Sequence, residues 1–234
     1  MADNAVNSAI ILLSGGLDSV VSLAVVKELY SNILALTFNY GQKSFEAEKK
    51  SSEKISEYYG IKHEVIELDW LKKISTSSLN TKDDVPCVSF SDLDNHSASI
   101  KSAQSVWVPN RNGLFVNIAA CYAEALGYES VIIGANKEEG ASFKDNTIDF
   151  VNAVNNELMY SVNKHVKLTA PLIELNKKEI VKEGIRLNVP FEYLHSCYIN
   201  GERHCGKCES CKRLKRALQL NNRQDIINKI FEQG

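Results

Sequence analysis

Hydrophobic positions cluster early: Ala9-Ile10-Ile11-Leu12-Leu13 is an unbroken apolar run that stops at Ser14-Gly15-Gly16. A short run without polar alternation predicts a strand buried on both faces, as in the middle of a parallel sheet. Val20 to Val26 is apolar on most sides and closes on Lys27-Glu28-Leu29, which predicts a helix laid on that sheet. Ile33 to Phe38 repeats the strand pattern, Phe45 to Tyr59 with Gly60 behind it predicts a second helix, and Lys62 to Leu68 a third strand. Leu114 to Leu126 before Gly127 is another helix, Ser130 to Gly134 a fourth strand and Val166 to Ala170 a fifth. Phe150, Val151, Val154, Leu158 and Val162 fall on one face of a helix over Thr147 to Val162. Asn176 followed by Glu179 has the form of a capping box that opens a helix to Leu187. Strands alternating with helices predict βαβ units, hence a doubly wound α/β fold with a parallel sheet covered on both faces.

Two stretches break this pattern. From Lys72 to Ser105, Ser, Thr, Asp and Asn dominate, which predicts a surface insertion or an active-site lid over residues 72–105. Beyond Pro190 the chain turns polar and Cys-rich, with a last helix around Ile226 to Phe231. The expected organisation is an α/β domain over 1–190 followed by a small C-terminal metal-binding region over 191–234.

Composition narrows the partners. The 234 residues are 44% hydrophobic and 24% charged with a net charge of −2, an ordinary globular balance. Proteins that grip long nucleic acids carry a basic surplus, so a small-molecule substrate is expected and no direct nucleic-acid contact. The short run Lys212-Arg213-Leu214-Lys215-Arg216 is the one basic block, and it supports a rival reading as a tRNA- or nucleotide-binding module. Met1 to Ser8 is polar and lacks the apolar core of a signal peptide. No apolar run approaches the ~20 residues that cross a bilayer. A cytoplasmic protein without membrane contact is the expectation.

The candidate chemistry starts at Ser14-Gly15-Gly16-Leu17-Asp18-Ser19, between the first strand and its helix. Glycines let the backbone approach an anion closely, and the amides of a helix N-terminus bind it. Ser14 and Ser19 supply hydroxyl donors, while Asp18 would shape the loop or meet a magnesium ion. The loop lacks the Gly-Lys-Ser/Thr ending that marks γ-phosphate transfer. Phe38-Asn39-Tyr40-Gly41-Gln42 ends the second strand, where side chains reach a nucleotide, although a plain strand-to-helix turn fits equally. Arg111 in Pro109-Asn110-Arg111-Asn112 opens a helix, an unfavourable place for a cation without an anionic partner, so it is a candidate contact for a carboxylate or phosphate. Gly134 ends the fourth strand at the same crevice, and Glu138 and Glu139 beyond it form a solvated turn or a magnesium site.

Cys197, Cys205, Cys208 and Cys211 crowd fifteen residues, with Gly201 and Gly206 to turn the chain. Four thiolates suit a tetrahedral, closed, structural zinc. An iron–sulfur cluster is the rival, and His204 is an alternative ligand in place of one sulfur. The other cysteines, Cys87 and Cys121, are isolated, and His63, His96, His165 and His195 form no spaced pair.

The loop resembles the signature of the PP-loop ATP pyrophosphatases. Together with Phe38 to Gln42, Val108 to Asn112 and the spaced cysteines, the chain from Ile10 to about Arg216 is similar to the 7-cyano-7-deazaguanine synthase family. The resemblance implies that ATP adenylates 7-carboxy-7-deazaguanine, that ammonia gives the amide, and that a second activation gives the nitrile used for queuosine or archaeosine. It also implies a homodimer. Nucleotide contacts carry over to Leu13, Ser14, Gly15, Gly16, Leu17, Asp18, Ser19, Val20, Val21, Ser22 and Leu23, with Phe38, Tyr40, Gln42 and Gly134 beside them. Ser14, Asp18, Ser19 and Arg111 are the candidate catalytic residues, and Asn112, Glu139 and Asp145 the candidate deazaguanine contacts. Zinc falls to Cys197, Cys205, Cys208 and Cys211. Other PP-loop enzymes, amidating ligases like NAD synthetase or tRNA thiolases, are the alternative. Many bacterial members carry Gly where this chain has Asn110, and a different segment where it has Glu139 to Asp145, which resembles a divergent or archaeal-type branch.

Overall fold

A computed structural model describes residues 7–93 and 95–232, so most of the polar Met1 to Ser8 stretch lies outside the described residues. Along the chain run β1 (Ser8–Leu12), α1 (Leu17–Lys27), β2 (Asn32–Asn39), α2 (Phe45–Tyr59), β3 (Lys62–Glu67), α3 (Asp69–Ile74), α4 (His96–Ser105) and α5 (Arg111–Leu126). There follow β4 (Ser130–Ile132), α6 (Lys137–Gly140), α7 (Ile148–Ser161), β5 (Lys167–Thr169), α8 (Lys177–Arg186), α9 (Glu209–Leu220) and α10 (Gln224–Ile230). The strands form one five-stranded parallel sheet in the order β3-β2-β1-β4-β5. The central strand is β1, buried at every position as its uninterrupted apolar run predicts.

Alternation along β1 divides the core in two. Ala9, Ile11 and Leu13 face a layer made by α1, α2, α8, α9 and α10. Ile10 and Leu12 face α5 and α7. The doubly wound class therefore holds. Helix ends follow the local chemistry: Asn176 and Glu179 form the reciprocal capping box of α8, and Thr147 accepts the Phe150 amide to open α7. Asn110, which precedes α5, is left-handed at φ 49°. Asn is among the few residues with a side chain that tolerate this region.

The two unpatterned stretches are folded onto the rest of the chain. The 72–105 segment contains the whole of α4 and buries Leu79 and Leu93. The basic run lies within α9, where several of its side chains bond to the protein. Lys212 donates to the Val88 carbonyl, Arg213 pairs with Glu138 (2.7 Å) and Glu209 (2.6 Å), and Arg216 reaches Glu138 (3.1 Å). Beyond Pro190, Leu214, Ala217, Leu218, Ile226, Ile227 and Ile230 belong to the same core as Ile11 and Leu13. Among the described residues, no helix is long and apolar enough to cross a membrane.

Candidate active site at the switch point of the sheet

The crossovers from β1 diverge, since β2 and β4 flank it on opposite sides, and this opens a crevice at the strands' C-terminal ends. A cavity of about 240 Å³ occupies it, lined by the loop residues Leu13, Ser14, Gly16, Leu17, Asp18 and Ser19. Gly15 shapes this loop with φ +75°, and a Cβ there would sit 2.3 Å from the Ser51 hydroxyl. Gly134 must be small for a different reason: a Cβ would lie 2.9 Å from the Ser19 amide nitrogen, so β4 could not approach α1. The loop braces itself. Ser19 donates to the Gly16 carbonyl (3.0 Å), and the Ser14 and Ser19 hydroxyls are 3.2 Å apart.

Among the predicted residues, Phe38, Tyr40, Arg111, Asn112, Gly134 and Glu139 also line the cavity. Arg111 donates to the Tyr40 hydroxyl (3.2 Å), and Phe38 stacks on Phe115 with centroids 4.1 Å apart. Others are placed elsewhere. Val20, Val21, Ser22 and Leu23 point into the core with no exposure. Gln42 closes the turn, accepting the Tyr40 amide and donating to the Phe38 carbonyl. Asp145 stands behind the wall, where its carboxylate accepts from Asn146, and Asn146 lines the cavity in its place.

The strongest electrostatic feature comes from a residue the sequence reading passed over. Lys177, first residue of α8, reaches across to Asp18 and Glu139, each at 2.5 Å. Burial pushes the Asp18 carboxyl up to about 6, outweighing the opposite pull of Lys177. Burial acts against the Lys177 charge too, but the two carboxylates overcome it and hold the ammonium protonated above its ordinary range. For Glu139, burial would raise the carboxyl, yet Lys177, Arg111 and Arg213 together keep it below its usual value. The signal for Lys177 was present: it follows the N-cap Asn176, the same unfavourable position for a cation that singles out Arg111. Asp18 Oδ1 is buried with no hydrogen-bond partner among the described residues. That oxygen fits a ligand of a divalent cation.

The four cysteines adjoin the cavity, and Cys197 forms part of its wall. Their sulfurs all lie within 4.8 Å of one another, with Cys197 and Cys208 3.9 Å apart and Cys205 and Cys211 3.8 Å apart. Hydrogen bonds from Cys208 and Cys211 push the Cys197 thiol down, and the Cys208 thiol is pushed up to about 12. Four sulfurs that converge in this way form a donor set that could hold a metal ion. His204, the alternative ligand, is committed elsewhere. Its Nε2 accepts the Ser196 amide (2.9 Å) and its Nδ1 meets the Ile230 carbonyl (3.1 Å).

A glycine-turned loop that opens a helix at the end of a central parallel strand, above buried ionised side chains, defines a doubly wound α/β enzyme acting on small molecules. The family model described as Queuosine biosynthesis protein QueC matches residues 8–222, and the chain belongs to that family. Relatives named 7-cyano-7-deazaguanine synthase include one from Methanobrevibacter smithii, 48% identical over 93% of this chain and 95% of that protein. Another, from Carboxydothermus hydrogenoformans, is 50% identical over 89% of this chain and 97% of its own length. A third, from Bdellovibrio bacteriovorus, is 46% identical over 91% and 93%.

Proposed function

We propose that this chain is a carbon–nitrogen ligase that converts 7-carboxy-7-deazaguanine, ammonia and ATP into 7-cyano-7-deazaguanine. Family membership supports the reaction, and the joining of the loop, Asp18, Lys177, Glu139 and Arg111 around one cavity supports its chemistry. The substrate carboxylate attacks the α-phosphorus of ATP, pyrophosphate leaves, and ammonia displaces AMP to give the amide and a proton. A second ATP adenylates the amide oxygen, and loss of AMP and a proton leaves the nitrile. Nothing in this sequence needs a covalent enzyme intermediate; orientation and charge stabilisation suffice.

In this reading the Leu17 to Ser19 end of α1 receives the phosphates, and Lys177 offsets charge developing on the departing pyrophosphate. Arg111 orients the substrate carboxylate, and the aromatic surface of Phe38, Tyr40 and Phe115 takes a flat ring. A magnesium ion beside Asp18 and Glu139 would neutralise the phosphates. Zinc is our assignment for the four thiols, because sulfurs within 4.8 Å of one another, two pairs of them 3.8 and 3.9 Å apart, come close to a tetrahedron with ~2.3 Å bonds. Sulfurs bound to separate irons of a cluster stand further apart. The protein is expected to work in the cytoplasm as a homodimer. A tRNA thiolase is less well supported: Cys87 and Cys121 lie outside the cavity, and Cys197 belongs to the metal cluster.

The test is stoichiometric. Purified protein given ATP, ammonium and 7-carboxy-7-deazaguanine should yield the nitrile by mass spectrometry with two AMP per nitrile. Accumulation of the amide with one AMP, and no nitrile, would favour a simple amidating ligase.

A further inference from the structure

Ser196 was not singled out by any motif, yet every polar group it carries is engaged. It stands in the cavity wall between the cysteine cluster and the phosphate loop. Its hydroxyl accepts the Leu17 amide of the loop at 3.0 Å. Its own amide donates to His204 Nε2 at 2.9 Å, and its carbonyl accepts from the Ser210 hydroxyl at 2.5 Å. The residue before it, His195, donates its amide to the Gly15 carbonyl at 2.9 Å. The phosphate loop is therefore bonded at two points to the segment that leads into Cys197.

The clamp on Ser196 is built from the metal loop itself. His204 and Ser210 both lie between the first and last thiols, Cys197 and Cys211, and both adjoin a ligand: His204 precedes Cys205, and Ser210 lies between Cys208 and Cys211. An ion that joins the four sulfurs fixes the loop carrying these two partners. Without the ion, the loop regains conformations in which Ser196 loses His204 and Ser210, and its hydroxyl is no longer held against Leu17. The hydroxyl also changes what the loop offers. Accepting from an amide polarises an O–H, so a serine held in this way presents a stronger donor to an anion in the cavity than a free one would.

We propose that Ser196 is a positioning residue that couples the four-cysteine centre to the phosphate loop, so that metal binding and nucleotide binding tighten one another. This inference rests on the reading of the loop as an ATP site. Linkage requires the two effects to be equal: the factor by which metal strengthens nucleotide binding is the factor by which nucleotide strengthens metal binding.

The experiment uses the whole zinc-loaded chain and α,β-methylene-ATP, which binds without being cleaved at the reacting bond. Calorimetry gives analogue affinity, and competition with a chromophoric chelator gives zinc affinity with and without saturating analogue. In the wild type the analogue should strengthen zinc retention by on the order of 10-fold. Ser196→Ala should keep one zinc per chain and a melting temperature near the wild type. It should bind the analogue on the order of 10-fold more weakly, and the analogue should no longer strengthen its hold on zinc. His204→Gln, which alters the clamp outside the cavity, should weaken analogue binding in the same direction while zinc remains bound. Analogue binding that is unchanged in both variants, or wild-type zinc affinity indifferent to the analogue, overturns the coupling alone. Failure of the loaded wild type to bind the analogue overturns the ATP reading and the coupling with it.

Discussion

Asp18 carries a cost in stability, and on the proposed reading it carries that cost for binding. Its side chain is buried beside Lys177 with one oxygen unpartnered among the described residues, and burial pushes its carboxyl up to about 6 from its ordinary value of 3.8. A folded state that holds the proton more tightly than the unfolded chain is penalised once the group ionises. The penalty is complete above about pH 6 and fades as the pH falls towards 4. Asp18→Asn removes it while keeping the shape. This variant is expected to melt at or a few °C above the wild type at pH 8, and the difference should vanish near pH 4. On the proposed reading, turnover should fall on the order of 100-fold or more, because Asp18 would no longer bring a charge to the phosphates and their cation. Calorimetric melts across that pH range with steady-state rates check both halves; a variant that melts well below the wild type at pH 8 would show the carboxylate to be stabilising instead.

Elements differed in how far they announced themselves. The helix Phe45–Tyr59 was legible to both ends, because Gly60 stops it in a left-handed cap. The capping box of α8 was legible because Asn176 and Glu179 are three residues apart. Helices α4 and α9 were not named from the sequence, although Leu214, Ala217 and Leu218 give α9 a buried face on the sheet's core; the two helices are also tied to each other. Ser102 on α4 donates to Glu209 on α9, and Arg213 reaches the Leu93 carbonyl (3.3 Å) and Ser99 (3.4 Å). The same distinction holds at the site. The loop at Ser14 to Ser19 is contiguous and readable, whereas Lys177 and Ser196 join it from 159 and 179 residues away. Arg213, with a side chain 14% exposed, is the hinge of the α4–α9 contact. Arg213→Met keeps the alkyl stem and leaves Glu209 without its guanidinium, at a cost of about 1–3 kcal/mol. We expect faster proteolytic cleavage within residues 72–105 and a higher KM, with kcat less affected. Cleavage at the wild-type rate would mean that the segment is held by Leu79 and Leu93 alone.

At the scale of the whole molecule, the question is whether residues beyond Pro190 form a unit of their own. Their sequence suggests one, with polar composition, a metal to staple it and too few apolar residues for a private core. The packing points the other way. Leu214, Leu218, Ile226 and Ile230 are buried against the layer that contains Ile11, Leu13 and α1, and His195 bonds the loop from the same segment. An independent metal knuckle, once stripped, would melt by itself and leave the α/β sheet at its original temperature. A knuckle that shares the sheet's core cannot, because its release uncovers apolar surface on α1 and α8 and unties Gly15. Chelation should therefore lower a single cooperative transition as a whole, by ~10 °C or more, instead of splitting off a small early one. Differential scanning calorimetry of zinc-loaded and chelated protein distinguishes the two outcomes, and two resolved transitions after chelation would establish the C-terminal region as a separate folding unit.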